Sequence, residues 1–372
     1  MVNVCEILGT EYPIIQGAMA RIAECNLAAA VSNGGGLGII AAGGQSADWL
    51  RDQIKKTREM TDKPFGVNIM LLADNVDELM DVVCEEKVAV VTTGAGNPGK
   101  YIAKLKEAGI KVVPVVANVT LAQRVARAGA DAVVAEGTEA GGHIGETTTM
   151  ALIPQMVDAL DIPVIAAGGI ADGRGIAAAY MLGAKGVQVG TRFLVADECI
   201  IHQGYKDAIL KAKDSSTVAT GRSTGHPVRI IKNKLARKIL SLEKKNAPEE
   251  EINELCTGTL AAAVVNGDAD NGNIMSGQIA GLVKKEQPAA EMIEEMFKEA
   301  AEVYEDRNSI CRAGRTVYRH GKGSLRDLSR SKGSIRHGGR SGERLVLQRR
   351  CGYTQADARH PADDLHDNDG SL

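Results

Sequence analysis

Aromatic residues are scarce: one Trp, three Phe and seven Tyr make up 3% of 372 residues. A core in so long a chain must then be built from Val, Ile, Leu, Ala and Met, which suits parallel strands buried on both faces. No run of 18 or more apolar residues is present, and Met1–Glu11 lacks a basic segment followed by an apolar one. Neither a membrane span nor a secretory leader is expected. The seven cysteines form no CxxC pair and show no metal-ligand spacing. Scattered thiols of this kind fit a reducing cytoplasm, and no metal site is expected.

Charge is nearly balanced at −3, but it is unevenly placed. Residues 307–372 carry 12 Arg and 2 Lys against 7 acids, which leaves the preceding chain near −10. An acidic body gives no reason to expect nucleic acid as a partner. The tail is rich in Arg, Gly and Ser and poor in aliphatics, so it cannot bury enough surface to offset its ordering entropy. It reads as a disordered extension or the product of an altered reading frame. Its Arg–Gly–Ser content also fits a nucleic-acid-binding arm, against which stand only two tyrosines for stacking, Tyr318 and Tyr353.

What the chain has in abundance is a repeat. Short apolar cores recur at Pro13–Gln16, Leu37–Ala41, Phe65–Met70, Val88–Thr92, Val112–Val116, Ala132–Glu136, Pro163–Ala166 and Gly186–Val189. Their spacing of roughly 20–28 residues is one strand plus one helix. Eight such units predict a (β/α)8 TIM barrel, whose chemistry sits in the loops after the strands. The barrel is expected over 1–196, followed by a small, mainly helical cap over 197–271 with no convincing strand. A return to the barrel over 272–306 includes a helix at Ala289–Tyr304, apolar at Met292, Ile293, Met296, Phe297, Ala300 and Val303.

Gly94-Ala-Gly-Asn-Pro-Gly99 matches a dinucleotide fingerprint. No carboxylate stands about 20 residues later to hold a ribose, so the match reads as a tight turn. The glycines at 168, 169 and 190 follow the seventh and eighth strands. In barrels those loops often bind phosphate through backbone N–H groups at a short helix N-terminus. Plain tight turns are the competing reading. His143 sits among glycines in Glu136-Gly-Thr-Glu-Ala-Gly-Gly-His-Ile-Gly145, on the catalytic face. There an imidazole can donate a hydrogen bond or a proton to a bound ligand. Asn68 and Gln188 are amides inside apolar strands, and Gln16-Gly-Ala-Met19 offers small residues to the same mouth. A flat heterocycle would suit this set.

The ordered set Gln16-Gly-Ala-Met-Ala20, Gly66-Val-Asn-Ile-Met-Leu-Leu72, Thr92-Thr-Gly-Ala-Gly-Asn-Pro98, Glu139-Ala-Gly-Gly-His-Ile-Gly145, Ile165-Ala-Ala-Gly-Gly-Ile-Ala-Asp-Gly173 and Val187-Gln-Val-Gly-Thr-Arg-Phe193 resembles the nitronate monooxygenase superfamily. Within it, Met275-Ser-Gly-Gln-Ile-Ala-Gly-Leu282 and the Gly-His-Ile-Gly stretch are most similar to the flavin-dependent enoyl-acyl-carrier-protein reductases of FabK type. The likeness covers about residues 1–305.

That resemblance implies FMN at the barrel mouth, NADH as reductant and an enoyl chain on acyl carrier protein as substrate. NADPH in place of NADH, and a monovalent-cation requirement, stay open. By motif, Gly168, Gly169, Gly190 and Thr191 would hold the FMN phosphate, while Ala18, Met19, Asn68, Glu136 and Gln188 would line the ring. His143 would be catalytic, with Gly142, Ser276 and Gln278 toward the substrate. Gly225–Arg229 and Ile231–Asn233 would shape the acyl pocket, and a homodimer is the expected assembly. Three rivals remain: nitronate oxidation with O2, a flavin-free lyase or isomerase acting on a phosphorylated substrate, and a binding protein working through its basic tail.

Overall fold

The structure is a computed structural model that describes residues 4–305. Its strands, in chain order, are β1 (Ile14–Gln16), β2 (Gly38–Ala41), β3 (Phe65–Met70), β4 (Val90–Gly94), β5 (Lys111–Val116), β6 (Val133–Glu136), β7 (Gly142–His143), β8 (Val164–Ala167), β9 (Gly186–Val189), β10 (Thr217–Thr220) and β11 (Val228–Ile231). Eight of them pair in parallel in the order β1-β9-β8-β6-β5-β4-β3-β2. A bridge between Ile15 and Leu37 joins the two ends, so the sheet closes as the TIM barrel that the repeat predicts. Gln16 reinforces that short seam. Its backbone N–H donates to Leu37 O at 2.9 Å, and its side-chain oxygen accepts from Ile39 N at 2.9 Å.

Strand alternation divides the core in two. Residues of one parity, among them Val67, Ile69, Val91 and Val133, pack outward against the helices. Those of the other parity, including Ile15, Leu37, Ile39, Val90, Val113, Val134 and Ile165, fill the barrel interior. The first helix, Val4–Leu8, adds Val4 and Leu8 to that inner cluster and stoppers its lower end. With so few aromatics, branched aliphatics and alanine do this filling.

The helix over 289–305 returns to the wall as its apolar spacing predicts, with Met292, Ile293, Met296 and Ala300 buried. Tyr12 and Phe297 pack ring to ring there at 4.9 Å. The stretch 197–271 is mainly helical, with Gln203–Leu210, Lys234–Lys244, Glu249–Cys256 and Thr259–Asn266. Leu235, Ile239 and Ile252 make a small core of its own. The expectation that it holds no strand is corrected: β10 and β11 form an antiparallel hairpin, and β11 pairs with β7. This hairpin is short, and its partner outside the stretch is two residues long, so no period-two pattern announces it. No described helix is long and apolar enough to cross a membrane. The expected disorder of 307–372 lies outside the described residues.

Candidate active site

Above the inner apolar layer, every barrel strand or the turn after it delivers a residue to one cavity, two residues past the inner one on all strands but β4, where Gly94 lies four past Val90. They are Gly17, Ala41, Asn68, Gly94, Val115, Glu136, Ala167 and Gln188, in strand order. The cavity holds about 410 Å³, within the range of small-molecule and cofactor sites. Its other walls are largely apolar, including Ala18, Met19, Ile22, Met70, Leu194, Leu260, Met275 and Ile279. No Lys or Arg is among the lining residues.

Three polar side chains rise from this apolar floor. Asn68, which lines the cavity, donates Nδ2–H to Thr92 Oγ1 at 2.9 Å and leaves its side-chain oxygen without a donor among the described residues. Gln188 is buried on β9, and Glu136 ends β6; neither has a hydrogen-bond partner among the described residues. Burial raises the Glu136 carboxyl to about 7, because a carboxylate there loses water and gains no countercharge. Unpartnered polar groups inside a protein call for a ligand. An amide oxygen, an amide and a carboxyl of raised pKa around an apolar floor suit the polar edge of a planar heterocycle.

Gly168 and Gly169 follow β8 at φ +87° and +78°, conformations that favour glycine. A Cβ on Gly168 would stand 2.8 Å from Gly137 O, so backbone would have to shift. Gly168→Ala is expected to cost about 1–3 kcal/mol of stability, checked by its denaturation midpoint; an unchanged midpoint would contradict the constraint. The N–H groups of Gly169, Gly190 and Thr191 donate to no acceptor among the described residues. All three residues line the cavity, and a Cβ on Gly190 would meet open space. These turns fit an anion. The longer helix after β8, Gly173–Met181, does not supply it: Asp172 accepts from Arg174 N and Gly175 N, and Glu299 Oε2 takes Gly173 N at 2.8 Å. The anion cradle therefore lies in the Gly168–Gly169 turn and, as expected, at the N-terminus of a short helix, the 3-10 turn Thr191–Val195 whose N-cap Gly190 carries no side-chain cap.

His143 faces the cavity from the loop after β6. The cap hairpin holds that loop by main-chain pairing of Val228 with His143 and Arg229 with Gly142. Ile144 N adds a bond to Pro227 O at 3.0 Å, and Arg229 Nε reaches Thr138 O at 3.0 Å. Close packing on the other side demands glycine at 141, where a Cβ would stand 2.7 Å from Gly277 N. His143 is exposed at the cavity edge; partial loss of water there and the nearby His226 imidazole lower its basicity, which favours the neutral imidazole near pH 7. Glu139 ties the loop to the anion cradle: Thr149 N donates to its carboxylate at 2.9 Å. The Thr149 hydroxyl lies 2.9 Å from both that carboxylate and Gly168 O.

Set against known proteins, residues 2–82 and 73–299 match the family model described as nitronate monooxygenase. The chain belongs to the nitronate monooxygenase family of oxidoreductases. It is 50% identical to FabK from Thermotoga maritima, whose structure superposes with a TM-score of 0.81 over 83% of this chain and 99% of that one. A probable nitronate monooxygenase of Staphylococcus saprophyticus is 38% identical over 349 residues, 81% of this chain and 98% of the relative. An octahydroindene-carboxyl-CoA dehydrogenase of Mycobacterium tuberculosis is 34% identical over 335 residues, 79% of this chain and 94% of the relative.

In this member of the nitronate monooxygenase family, Ala18, Met19, Asn68, Glu136, Gly142, His143, Gly168, Gly169, Gln188, Gly190 and Thr191 all line one cavity. Ser276 and Gln278 do not. Ser276 is fully buried with an unpartnered hydroxyl, and Gln278 is exposed, giving only its backbone N–H to Glu139 O at 2.9 Å. Their neighbours Met275, Gly277 and Ile279 line the cavity instead. Nothing from 225–233 reaches the lining; Leu260 is the cap's contribution. Sequence reasoning missed Glu139, Met275 and Leu260. Strand parity could have found Met70 and Val115. Among the described residues no group of three acids, cysteines or histidines can hold a metal.

Proposed function

We propose that this chain reduces the carbon–carbon double bond of an enoyl thioester carried by acyl carrier protein, with FMN as bound cofactor and NADH as reductant. The observation that carries the cofactor is the cavity itself. The Asn68 carbonyl oxygen and the unpartnered Glu136 and Gln188 side chains ring an apolar floor, and free N–H groups at Gly169, Gly190 and Thr191 stand at its edge. The residues fit FMN: the glycine turns would hold its phosphate, and Ala18, Met19 and Asn68 would bound its ring. Bound there, FMN would supply hydride exchange between the nicotinamide and the substrate. The 50% identity to a FabK and the relative named for a carboxyl-CoA support a thioester as substrate.

His143 would work on the substrate side. Reduction at the β-carbon drives negative charge onto the thioester carbonyl oxygen, and an N–H aimed at that oxygen lowers the barrier. A neutral imidazole gives up its remaining proton poorly, so His143 acts as a hydrogen-bond donor. The α-carbon proton then comes from water at the open mouth. Apolar Leu260, Met275 and Ile279 shield the acyl chain. The cap hairpin fixes where the imidazole stands.

A visible spectrum tests this reading in one sitting. Purified protein should be yellow, bleach with NADH under anaerobic conditions, and recover colour when crotonyl thioester is added. Colourless protein would remove the flavin. Bleaching by an alkyl nitronate with colour restored by O2, and no response to the thioester after NADH, would make it a nitronate monooxygenase, for which a neutral His143 is a competent base.

A further inference from the structure

We propose that Glu136 meets the cofactor as a neutral carboxylic acid, so that filling the cavity takes up a proton above neutral pH. This rests on the reading that FMN is the occupant.

The geometry leaves the ionised form without support. Glu136 is the inward residue at the end of β6, level with Ala167 on β8. Beneath it lie Val113, Val134 and Ile165, and the same floor holds Val115, Asn68 and Gln188. None of these carries charge. The other ionisable groups of the lining are Glu139, whose oxygens Thr149 holds, and His143, which favours the neutral form near pH 7. A carboxylate at 136 would have no cation among the lining residues, no side-chain donor bonded to it in this structure, and an anionic phosphate in the same cavity. As an acid it has one O–H to give. In the open cavity, where part of the side chain still reaches the open space, burial already raises its carboxyl to about 7. A ring laid over the floor closes off that space and pushes it higher, because desolvation penalises the charged form.

Linkage fixes the sign. When binding raises a group's pKa, the complex holds the proton that the free protein releases, so affinity falls as pH rises. The clean window is pH 7–9, where a phosphate monoester is already a dianion and His143 stays neutral. Across it the dissociation constant should climb by on the order of 50-fold for one proton. The experiment dilutes the holoenzyme into buffers from pH 7 to 9 and follows the return of flavin fluorescence. Wild type should weaken by that factor, and Glu136→Gln, uncharged and of the same shape, by less than about threefold. A dissociation constant that stays level or tightens with pH in wild type overturns the proposal, as does an unchanged slope in Glu136→Gln. Protein that holds no flavin at pH 7, in either form, instead removes the cofactor reading.

Discussion

Replacing His143 with alanine should cut reduction of a crotonyl thioester by about 100-fold or more and leave flavin content unchanged. The size comes from the role: a single donor to a developing oxyanion is worth about 2.7–4 kcal/mol of barrier. Flavin retention follows from position, since His143 faces the cavity from a loop on the cap side, while the floor and the glycine turns belong to other strands. The loss should fall on kcat, because the interaction strengthens only as charge develops. His143→Gln, which keeps an N–H donor, should recover part of the rate. Lowered basicity adds a second signature: the wild-type rate should change little from pH 7 upward as far as His143 is concerned, because the neutral imidazole, which keeps one N–H, already predominates. Steady-state rates with crotonyl thioester and NADH check all three. An alanine variant with wild-type turnover would remove His143 from the chemistry.

How much of this was legible beforehand follows from what each residue answers to. The barrel was readable because its strands are buried on both faces, so Val, Ile and Ala crowd into runs that composition alone betrays. Glycines at 168 and 169 were readable because backbone conformation, which sequence reports directly, is their function; Gly190 was readable from its place after the eighth strand. The cap hairpin was not. β11 reads Val-Arg-Ile-Ile, and its partner β7 is Gly142-His143, three-dimensional neighbours with no shared local pattern. The Met-Ser-Gly-Gln stretch was found as a motif but its facing was misjudged. In irregular chain no period says which side chain turns inward, and here Met275 and Gly277 turn in while Ser276 is buried away from the cavity. Glu139 escaped notice because its work is second-hand: it holds Thr149, which holds Gly168. Parity was the unused signal. Two residues past Ile39, Gly66, Val134 and Gly186 stand Ala41, Asn68, Glu136 and Gln188, all lining the cavity.

The same parity that makes Glu136 useful makes it expensive, and protein without bound flavin should reveal the cost. Its carboxyl titrates at about 7 in the fold, against roughly 4.3 in an unfolded chain. Between those values the native state holds a proton that the unfolded state has released, so stability falls as pH rises from about 4.3 to 7 and stays low above. The shift corresponds to about 3–4 kcal/mol at pH 8. Glu136→Gln should therefore raise stability by that amount at pH 8 and by less than about 1 kcal/mol at pH 5. Any fixed penalty for burying the amide is the same at both values and cancels in the comparison. Urea midpoints of the two proteins at each pH measure the difference. A gain that does not grow with pH would mean that water in the open cavity already solvates the carboxylate. With it would go the reason for an acid on the cavity floor to wait for a ligand before it is fully buried.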